Sequence, residues 1–274
     1  MLWTRRRDAV ILPNMPMPES ERNEIANRQQ EQMLRLVSRG FYNELINYGV
    51  KKHEVVKVAS HLLDHLMEAG AGLDRAATYY NRHFSLATLR DEWKTGKRLS
   101  VHEVSIEPLA NSLHVELAGW LDAPRVRSSF VEPFPGTAAD MAAYFSNPGR
   151  SYFSILYQGA PVGIIGAEHM DEAAGRLEMR KLVGRGDLRG RGIGKRATFA
   201  FLFYVFQILN FEKVYVHSTD VNIRNLNLNS QFGFQLEGVF LQEIRVPEGR
   251  ADIVRMGLLK ARWLEIFSKE AGSA

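Results

Sequence analysis

Three glycines among basic side chains form the stretch of this sequence with the clearest capacity for chemistry. Gly190, Gly192 and Gly194 lie between an extended run, residues 177–183, and an apolar run of helical length, residues 197–209. Glycine lets the backbone turn tightly and bring its N–H groups close to a ligand, and a following helix directs the positive end of its dipole to the same place. The stretch also carries the basic side chains Arg180, Lys181, Arg185, Arg189, Arg191, Lys195 and Arg196, against one acid, Asp187. The pattern predicts a cradle for a pyrophosphate, and a solvated strand-to-helix turn is the alternative.

The spacing of the glycines argues against two other phosphate-binding loops. A dinucleotide-binding fold needs Gly-x-Gly-x-x-Gly and a later acid for the ribose, whereas this chain has Gly-x-Gly-x-Gly. A P-loop ends in Gly-Lys followed by Ser or Thr, and here Gly194 and Lys195 are followed by Arg196. Neither a dinucleotide nor a P-loop nucleotide is therefore the expected ligand.

Two motifs, in order, resemble those of the GNAT superfamily of acyl-CoA-dependent N-acetyltransferases. Residues 189–194 resemble its Arg/Gln-x-x-Gly-x-Gly/Ala loop, which holds the pyrophosphate of coenzyme A. Residues 222–234 resemble its Asn-x-x-Ala-Ile-x-Leu-Tyr-x-Lys-x-Gly-Phe helix, and a Glu-Gly turn follows. A predicted strand, residues 213–217, separates the two motifs. The run at residues 239–259 is similar to the ribosomal-protein and amino-sugar acetyltransferase branch.

The resemblance covers about residues 100–264 and implies an α/β (α+β) fold, with a mixed, splayed central sheet flanked by helices. We expect this domain to occupy residues 99–274. Residues 1–98 lie outside the resemblance, and we expect a small all-α domain there after an irregular first 18 residues. Its first helix is predicted from apolar residues four positions apart, Met33, Val37, Phe41 and Leu45. Two later helical segments are predicted at residues 73–84 and 85–94, and the apolar stripes of this domain must pack on each other, on the second domain or on another subunit. The sheet strands are predicted at residues 101–106, 152–157, 161–169, 176–183, 213–217, 235–244 and 253–259.

Acyl transfer from a thioester to an amine sets the roles that the residues must fill. A group must take the proton of the amine, N–H donors must stabilise the oxyanion, and the leaving thiolate needs a proton or a hydrogen bond. The resemblance implies that the oxyanion donors are backbone amides near Lys181, at Leu182 and Val183. It implies that coenzyme A is held by Arg189, Gly190, Arg191, Gly192, Ile193, Gly194 and Lys195, together with Asn222 and Asn225.

Four residues are candidates for the general base: Glu178 lies within a predicted strand, and Glu168, His169 and His217 lie at the ends of the neighbouring ones. We place Glu178 first, then His217, then His169 and Glu168. A histidine can act near neutral pH without any change in its pKa. The alternative for Glu178 is an ordinary ion pair on the strand surface, so the assignment stays open at this point.

One position departs from the family. Asn229 stands where many members have a tyrosine that protonates the coenzyme A thiolate. Asparagine can donate a hydrogen bond but is not a practical acid. The resemblance further implies an acceptor wall formed by Trp120, Arg125, Arg127 and Phe130.

The predicted function is transfer of an acetyl or other short acyl group from coenzyme A to a primary amine of a small metabolite, by direct attack in a ternary complex. A free or nucleotide-linked amino sugar is the first candidate acceptor, a protein N-terminus the second, and a polyamine or aminoglycoside the third. The alternative is a non-catalytic module, or one that docks an acyl carrier protein as donor. The helical domain would then contact that carrier, and a homodimer through the same helices is a further alternative.

The composition of the chain limits which other kinds of site and partner can be expected. The chain has 274 residues, a net charge of +4 and no cysteine, so disulfides, thiolate metal sites and cysteine nucleophiles are excluded. His61 and His65 are four apart but lack the glutamate and third ligand of a zinc site, so we expect no metal. We expect no nucleic-acid or membrane partner and a cytoplasmic location, since no apolar run reaches the roughly 20 residues that span a bilayer.

Overall fold

The structure is a computed structural model of the chain. It describes residues 19–51, 54–55, 57–58, 62, 69–122, 130, 133–188, 190–219, 228–246 and 249–268. Backbone contacts divide the chain into two units, Met1–Ala59 and Ser60–Ala274. This division does not coincide with the domain boundary predicted after residue 98.

The described part of the first unit is dominated by helix α1, Glu19–Asn47. Gly49 ends it with a left-handed φ of 85°. The N–H groups of Gly49 and Val50 donate to the carbonyls of Ile46 and Leu45, which closes the helix in a Schellman motif. Met33, which belongs to the predicted apolar stripe, is exposed, as are Val37 and Phe41. The stripe is therefore uncovered within the described residues of this unit.

The second unit is built on one eight-stranded sheet. Its strands are β1 (Leu99–Val101), β2 (Val104–Pro108), β3 (Ser151–Tyr157), β4 (Ala160–Asp171), β5 (Arg176–Val183), β6 (Lys213–Thr219), β7 (Gln235–Val246) and β8 (Gly249–Leu259). Their order is β1-β2-β3-β4-β5-β6-β8-β7, and β5 and β6 form the parallel pair. The sheet confirms the predicted α/β class.

The two central strands diverge, which opens a cleft in the middle of the sheet. Strands β5 and β6 pair over three positions only, the last being Glu178 with Tyr215. Beyond that point each strand stays paired on its outer side, β5 with β4 through Val183 and β6 with β8 through Thr219. The inner edges of β5 and β6 therefore face each other without a strand between them, as the predicted splayed sheet requires.

Six helices of this unit have their bounds within the described residues. They are α2 (Ala69–His83), α3 (Leu86–Gly96), α4 (His114–Asp122), α5 (Ala138–Phe145), α6 (Ile193–Phe203) and α7 (Lys260–Phe267). Helix α6 is continued by a π-helical turn, Tyr204–Ile208, and its side chains are buried from Ala197 to Phe206. This helix is the apolar run that the sequence predicted, and it lies on one face of the sheet.

Helices α2 and α3 complete the core around α6. The ring of Tyr80 stacks on that of Phe199 with centroids 4.0 Å apart. Arg90 donates to the side-chain carbonyl of Gln207 at 2.7 Å. The amphipathic pattern of these helices predicted that they would cover something, and what they cover is the catalytic sheet's own central helix.

The opposite face of the sheet carries a second, smaller core. Helices α4 and α5, with the 3-10 turn that precedes α4, supply Leu113, Leu117, Leu121 and Met141, which pack on Tyr152, Ile164 and Leu182. One predicted strand is wrong: residues 101–106 form the hairpin of β1 and β2, because His102 turns the chain with a φ of 53°.

Candidate active site

The predicted cradle lies at the N-terminus of α6. Gly190 and Gly192 have left-handed φ values of 85° and 75°, which explains glycine at both. Gly192 is the N-cap and supplies no side-chain acceptor, so the first N–H groups of the helix have no partner of their own. The first turn carries no acidic residue. These open donors and the helix dipole make the turn complementary to an anion.

Space and charge at the cradle fit a phosphate-bearing group. A Cβ added to Gly194 would be 3.7 Å from Val183, an ordinary contact, and one added to Gly192 would meet nothing within 4 Å. The fold itself therefore leaves the surface of this turn open. Burial, and then the neighbouring Arg75 of α2, lower the pKa of Lys195. Each of the two cations disfavours the charge of the other, and an anion bound beside them would offset this repulsion.

Three of the four predicted bases meet at the cleft. The side chain of Glu178, 10% exposed, lies between two imidazoles: Nδ1 of His217 is 3.3 Å from Oε1, and Nε2 of His169 is 3.8 Å from Oε2. His169 reaches the carboxylate from β4, at an irregularity in the pairing with β5 that gives it a φ of 51°. His217 reaches it from β6. The cluster thus forms where β5 and β6 begin to separate.

Glu168, the fourth candidate, is in a different environment. It is 1% exposed and accepts from the hydroxyl of Tyr152 at 2.6 Å and from Nε of Arg150 at 2.6 Å. Tyr144 and Arg180 donate to it as well. Both oxygens of Glu168 are therefore already occupied by donors, and neither is open to a substrate amine. Glu168 therefore orients its neighbours, among them Arg150.

Arg180 extends this buried network toward the predicted acceptor wall. Its guanidinium lies over Phe134 at 4.1 Å and over Phe130 at 5.0 Å from the ring centroids. Phe130 in turn meets Phe134 edge-on at 5.0 Å. Trp120 packs against Gly184, where an added Cβ would approach its ring to 2.1 Å. Phe130 and Trp120 are thus held rigidly on the α4 side of the cleft.

A cavity of about 240 Å³ lies beside this wall. It is lined by Ala118, Leu121, Asp122, Phe130, Pro133, Phe134, Pro135 and Gly136. Arg125 and Arg127, which were also predicted for the wall, lie outside the described residues, as do Arg189, Asn222, Asn225, His61 and His65.

The remaining predicted residues line the cleft itself. Leu182 belongs to the core on the α4 side, while Val183 is half-buried next to Gly194. Asn229, in the helical residues 228–230, is buried and accepts a hydrogen bond from Lys181. The sequence analysis treated Lys181 as one of the basic residues around the cradle and as a backbone position, and the signal that it missed was a lysine on the apolar side of a buried strand.

The described residues show neither a metal-binding cluster nor a membrane-spanning helix. Among them no group of three or more His, Cys, Asp or Glu side chains could hold a metal ion. Within the same residues no helix is both long and apolar enough to cross a membrane.

The chain is similar in sequence to known acetyltransferases. Residues 118–234 match the sequence model of the Acetyltransferase (GNAT) family. The spermidine N(1)-acetyltransferase of Escherichia coli (strain K12) is 22% identical over 170 residues, which are 60% of this chain and 90% of that relative. The spermidine N(1)-acetyltransferase of Vibrio cholerae is 30% identical over 76 residues, or 28% of this chain and 44% of that relative.

A solved structure shares the fold. The dodecameric spermidine N-acetyltransferase from Vibrio cholerae in its intermediate state superposes with a TM-score of 0.53 at 18% identity, covering 59% of this chain and 96% of that one. The ribosomal-protein and amino-sugar branch predicted from residues 239–259 stays a prediction. With the GNAT match over residues 118–234, the cradle and the cleft together, the chain is an acetyl-CoA-dependent N-acetyltransferase that acts on amines.

Proposed function

We propose that the protein acetylates a primary amine of a small molecule, with Glu178 as the general base. The observation that carries this proposal is the position of its carboxylate, between His217 and His169 at the point where β5 and β6 diverge. A base must lie within hydrogen-bond reach of the attacking nitrogen, and a cleft between strands gives the amine access to it. Glu178 takes the proton, and the two imidazoles hold the carboxylate and pass the proton to water.

The donor is acetyl-CoA, and its pyrophosphate lies on the N-terminus of α6. Gly190, Gly192 and Gly194 allow the close approach, and Lys195 supplies positive charge beside the unpaired N–H groups. Arg189, Asn222 and Asn225 remain proposed contacts by resemblance. Backbone amides at Leu182 and Val183 are the proposed oxyanion donors, because this edge of β5 has left its strand partner.

The donor site can be tested by a pair of glycine substitutions. Gly194→Ala adds a methyl group over the cradle, whereas Gly119→Ala adds one on α4, and neither meets a close contact in the protein. Both should leave stability equal or raise it by up to about 1 kcal/mol, since alanine favours helix. Calorimetric titration should show acetyl-CoA affinity lowered about tenfold in Gly194→Ala only. Equal affinities in the two variants would contradict the cradle.

For the acceptor we propose a molecule with a single amine, an amino sugar first. Of the two buried glutamates beside the cleft, Glu168 is compensated by Arg150 and Arg180, which leaves Glu178 as the carboxylate without an arginine or lysine partner among the described ion pairs. A polycation needs several uncompensated carboxylates. Spermidine is the second candidate, and the names of the relatives favour it.

Initial rates separate these acceptors. Thiol release from acetyl-CoA would be followed with glucosamine, a nucleotide-linked amino sugar, spermidine and a peptide with a free N-terminus. A kcat/KM for an amino sugar at least tenfold above that for spermidine supports the first proposal, and the reverse order replaces it with the second. Acetyl-pantetheine in place of acetyl-CoA tests the carrier-protein alternative, because it lacks the pyrophosphate.

A further inference from the structure

Lys181 lies on the opposite side of β5 from the proposed base. Leu177 and Met179 pack in the core beneath α6, and Leu182 packs in the core beneath α4. Since side chains alternate along a strand, Lys181 shares the α6 side with Leu177 and Met179. Its Nζ donates to Oγ1 of Thr198 on α6 at 2.9 Å and to Oδ1 of Asn229 at 3.4 Å.

These two acceptors place the ammonium group at the unpaired edge of β5. Lys181 comes after Glu178, the last residue of β5 that pairs with β6. A second hydrogen bond connects Thr198 to the cradle: its hydroxyl donates to the carbonyl of Gly194 at 2.7 Å. Nζ of Lys181 is therefore connected both to the first turn of α6 and to the residue across the cleft, Asn229.

Asn229 carries an unused donor. The residue is 1% exposed, its Oδ1 accepts from Lys181, and its Nδ2 has no partner among the described residues. The positions of Oδ1 and Nδ2 cannot be exchanged by rotating the side-chain amide, because Nδ2 would then face the N–H donors of the Lys181 ammonium group. A buried donor without an acceptor is costly, and a ligand atom in the cleft would satisfy it.

The charge of Lys181 is also uncompensated. Its two hydrogen-bond partners are neutral, Ile165 opposite it on β4 is apolar, and no ion pair to Lys181 occurs within the described residues. Glu178 and Arg180 of its own strand face the other side of the sheet. Although the residue as a whole is only partly buried, its ammonium is withdrawn from water, and this lowers the pKa of Lys181 to about 7. A free thiol, with a pKa of about 8.5, is a weaker acid than such a group.

We infer that Lys181 is the general acid of the reaction, and that Asn229 positions it where other members of the family use a tyrosine. This inference rests on the proposed function. As the amine nitrogen bonds to the acetyl carbon, the C–S bond breaks and its electron pair goes to sulfur. Lys181 gives one proton to that sulfur, while Glu178 takes one from the nitrogen. The products are the amide and the coenzyme A thiol, and both residues are restored by proton exchange with water.

The first test is Lys181→Met, which keeps the length of the side chain and removes the charge. Lys213→Met, in the neighbouring strand, is the matched control. We expect Lys181→Met to fold with an equal or higher Tm, to bind acetyl-CoA within threefold of the wild type, and to lose about 100-fold in kcat. In the wild type kcat falls as the pH rises above about 7 and Lys181 deprotonates, and the variant should lose this descending limb.

The second test restores the ammonium chemically. The chain has no cysteine, so Lys181→Cys introduces a single thiol that can be alkylated in urea before refolding. Alkylation with 2-bromoethylamine rebuilds a side chain of lysine length, and we expect at least a tenfold recovery of kcat together with the descending limb. Alkylation with iodoacetamide gives a neutral side chain and should restore neither.

The outcomes distinguish this inference from the proposed function. Lys181→Met with unchanged kcat and an unchanged pH profile would overturn the acid role and leave Glu178 as the base. An equal response to both alkylating agents would also overturn it. A wild-type chain that binds acetyl-CoA but acetylates none of the amines would overturn the proposed function itself.

Discussion

Two glutamates face each other on neighbouring strands and have opposite surroundings. Glu168 of β4 and Glu178 of β5 are direct partners in the sheet. Glu168 is enclosed by two tyrosines and two arginines, whereas Glu178 has two imidazoles and lies at the start of the cleft. The two carboxylates occupy paired positions in the sheet and differ in their surroundings, and this difference is why we propose Glu178, and not Glu168, as the base.

The largest expected effect is on stability and comes from Glu168→Gln. The substitution leaves Arg150 and the buried Arg180 without their carboxylate, and breaking a buried ion pair on one side costs about 3–5 kcal/mol. Thermal unfolding should show a Tm lower by roughly 10 °C. A Tm within 2 °C of the wild type would remove the distinction between the two glutamates.

The next effect is on rate and comes from Glu178→Gln. The amide keeps the shape but cannot take a proton, so kcat should fall by about 10²- to 10⁴-fold. The Tm should change little, because the partners of Glu178 are two histidines at the rim of the cleft and no buried arginine is described against it. Steady-state rates with acetyl-CoA measure the effect, and acetyl-CoA affinity serves as the control for folding. A kcat within threefold of the wild type would move the base elsewhere.

Smaller effects on kcat are expected from substitutions of the two histidines, and their order tests which imidazole is the partner of Glu178. His217 is nearer to the carboxylate, at 3.3 Å against 3.8 Å for His169, and its side chain is 21% exposed against 46%. A hydrogen bond to a charged group weakens with distance and exposure. We expect kcat to fall about tenfold in His217→Gln and less than threefold in His169→Gln. The reverse order, measured under the same conditions, would make His169 the working partner.

Much of the fold and of the donor site could be predicted from local patterns. Strand β5 has the bounds that alternation and motif position predicted, and Gly190 and Gly192 adopt the left-handed backbone that their residue type suggested. These features depend on neighbours in sequence, which a motif records directly.

The rest depends on contacts between distant parts of the chain. The stripes of α2 and α3 predicted that these helices cover an apolar surface, but not that the surface is α6 of the catalytic unit. The chain contains Glu168 and Glu178 without showing that Tyr144 and Arg150 enclose only the first. In the sequence Lys181 is one of several basic residues near the cradle. Its contact with Asn229 could not be predicted, because the two residues are 48 positions apart.

The most direct test of the central claim is to measure kcat and Tm for Glu178→Gln and Glu168→Gln side by side, with acetyl-CoA and the best amine acceptor. The account predicts that Glu178→Gln loses at least 100-fold in kcat at a nearly unchanged Tm. It predicts that Glu168→Gln loses mainly stability and keeps, per folded molecule, most of its rate. A Glu168→Gln variant that folds normally and is inactive, beside an active Glu178→Gln variant, would contradict it.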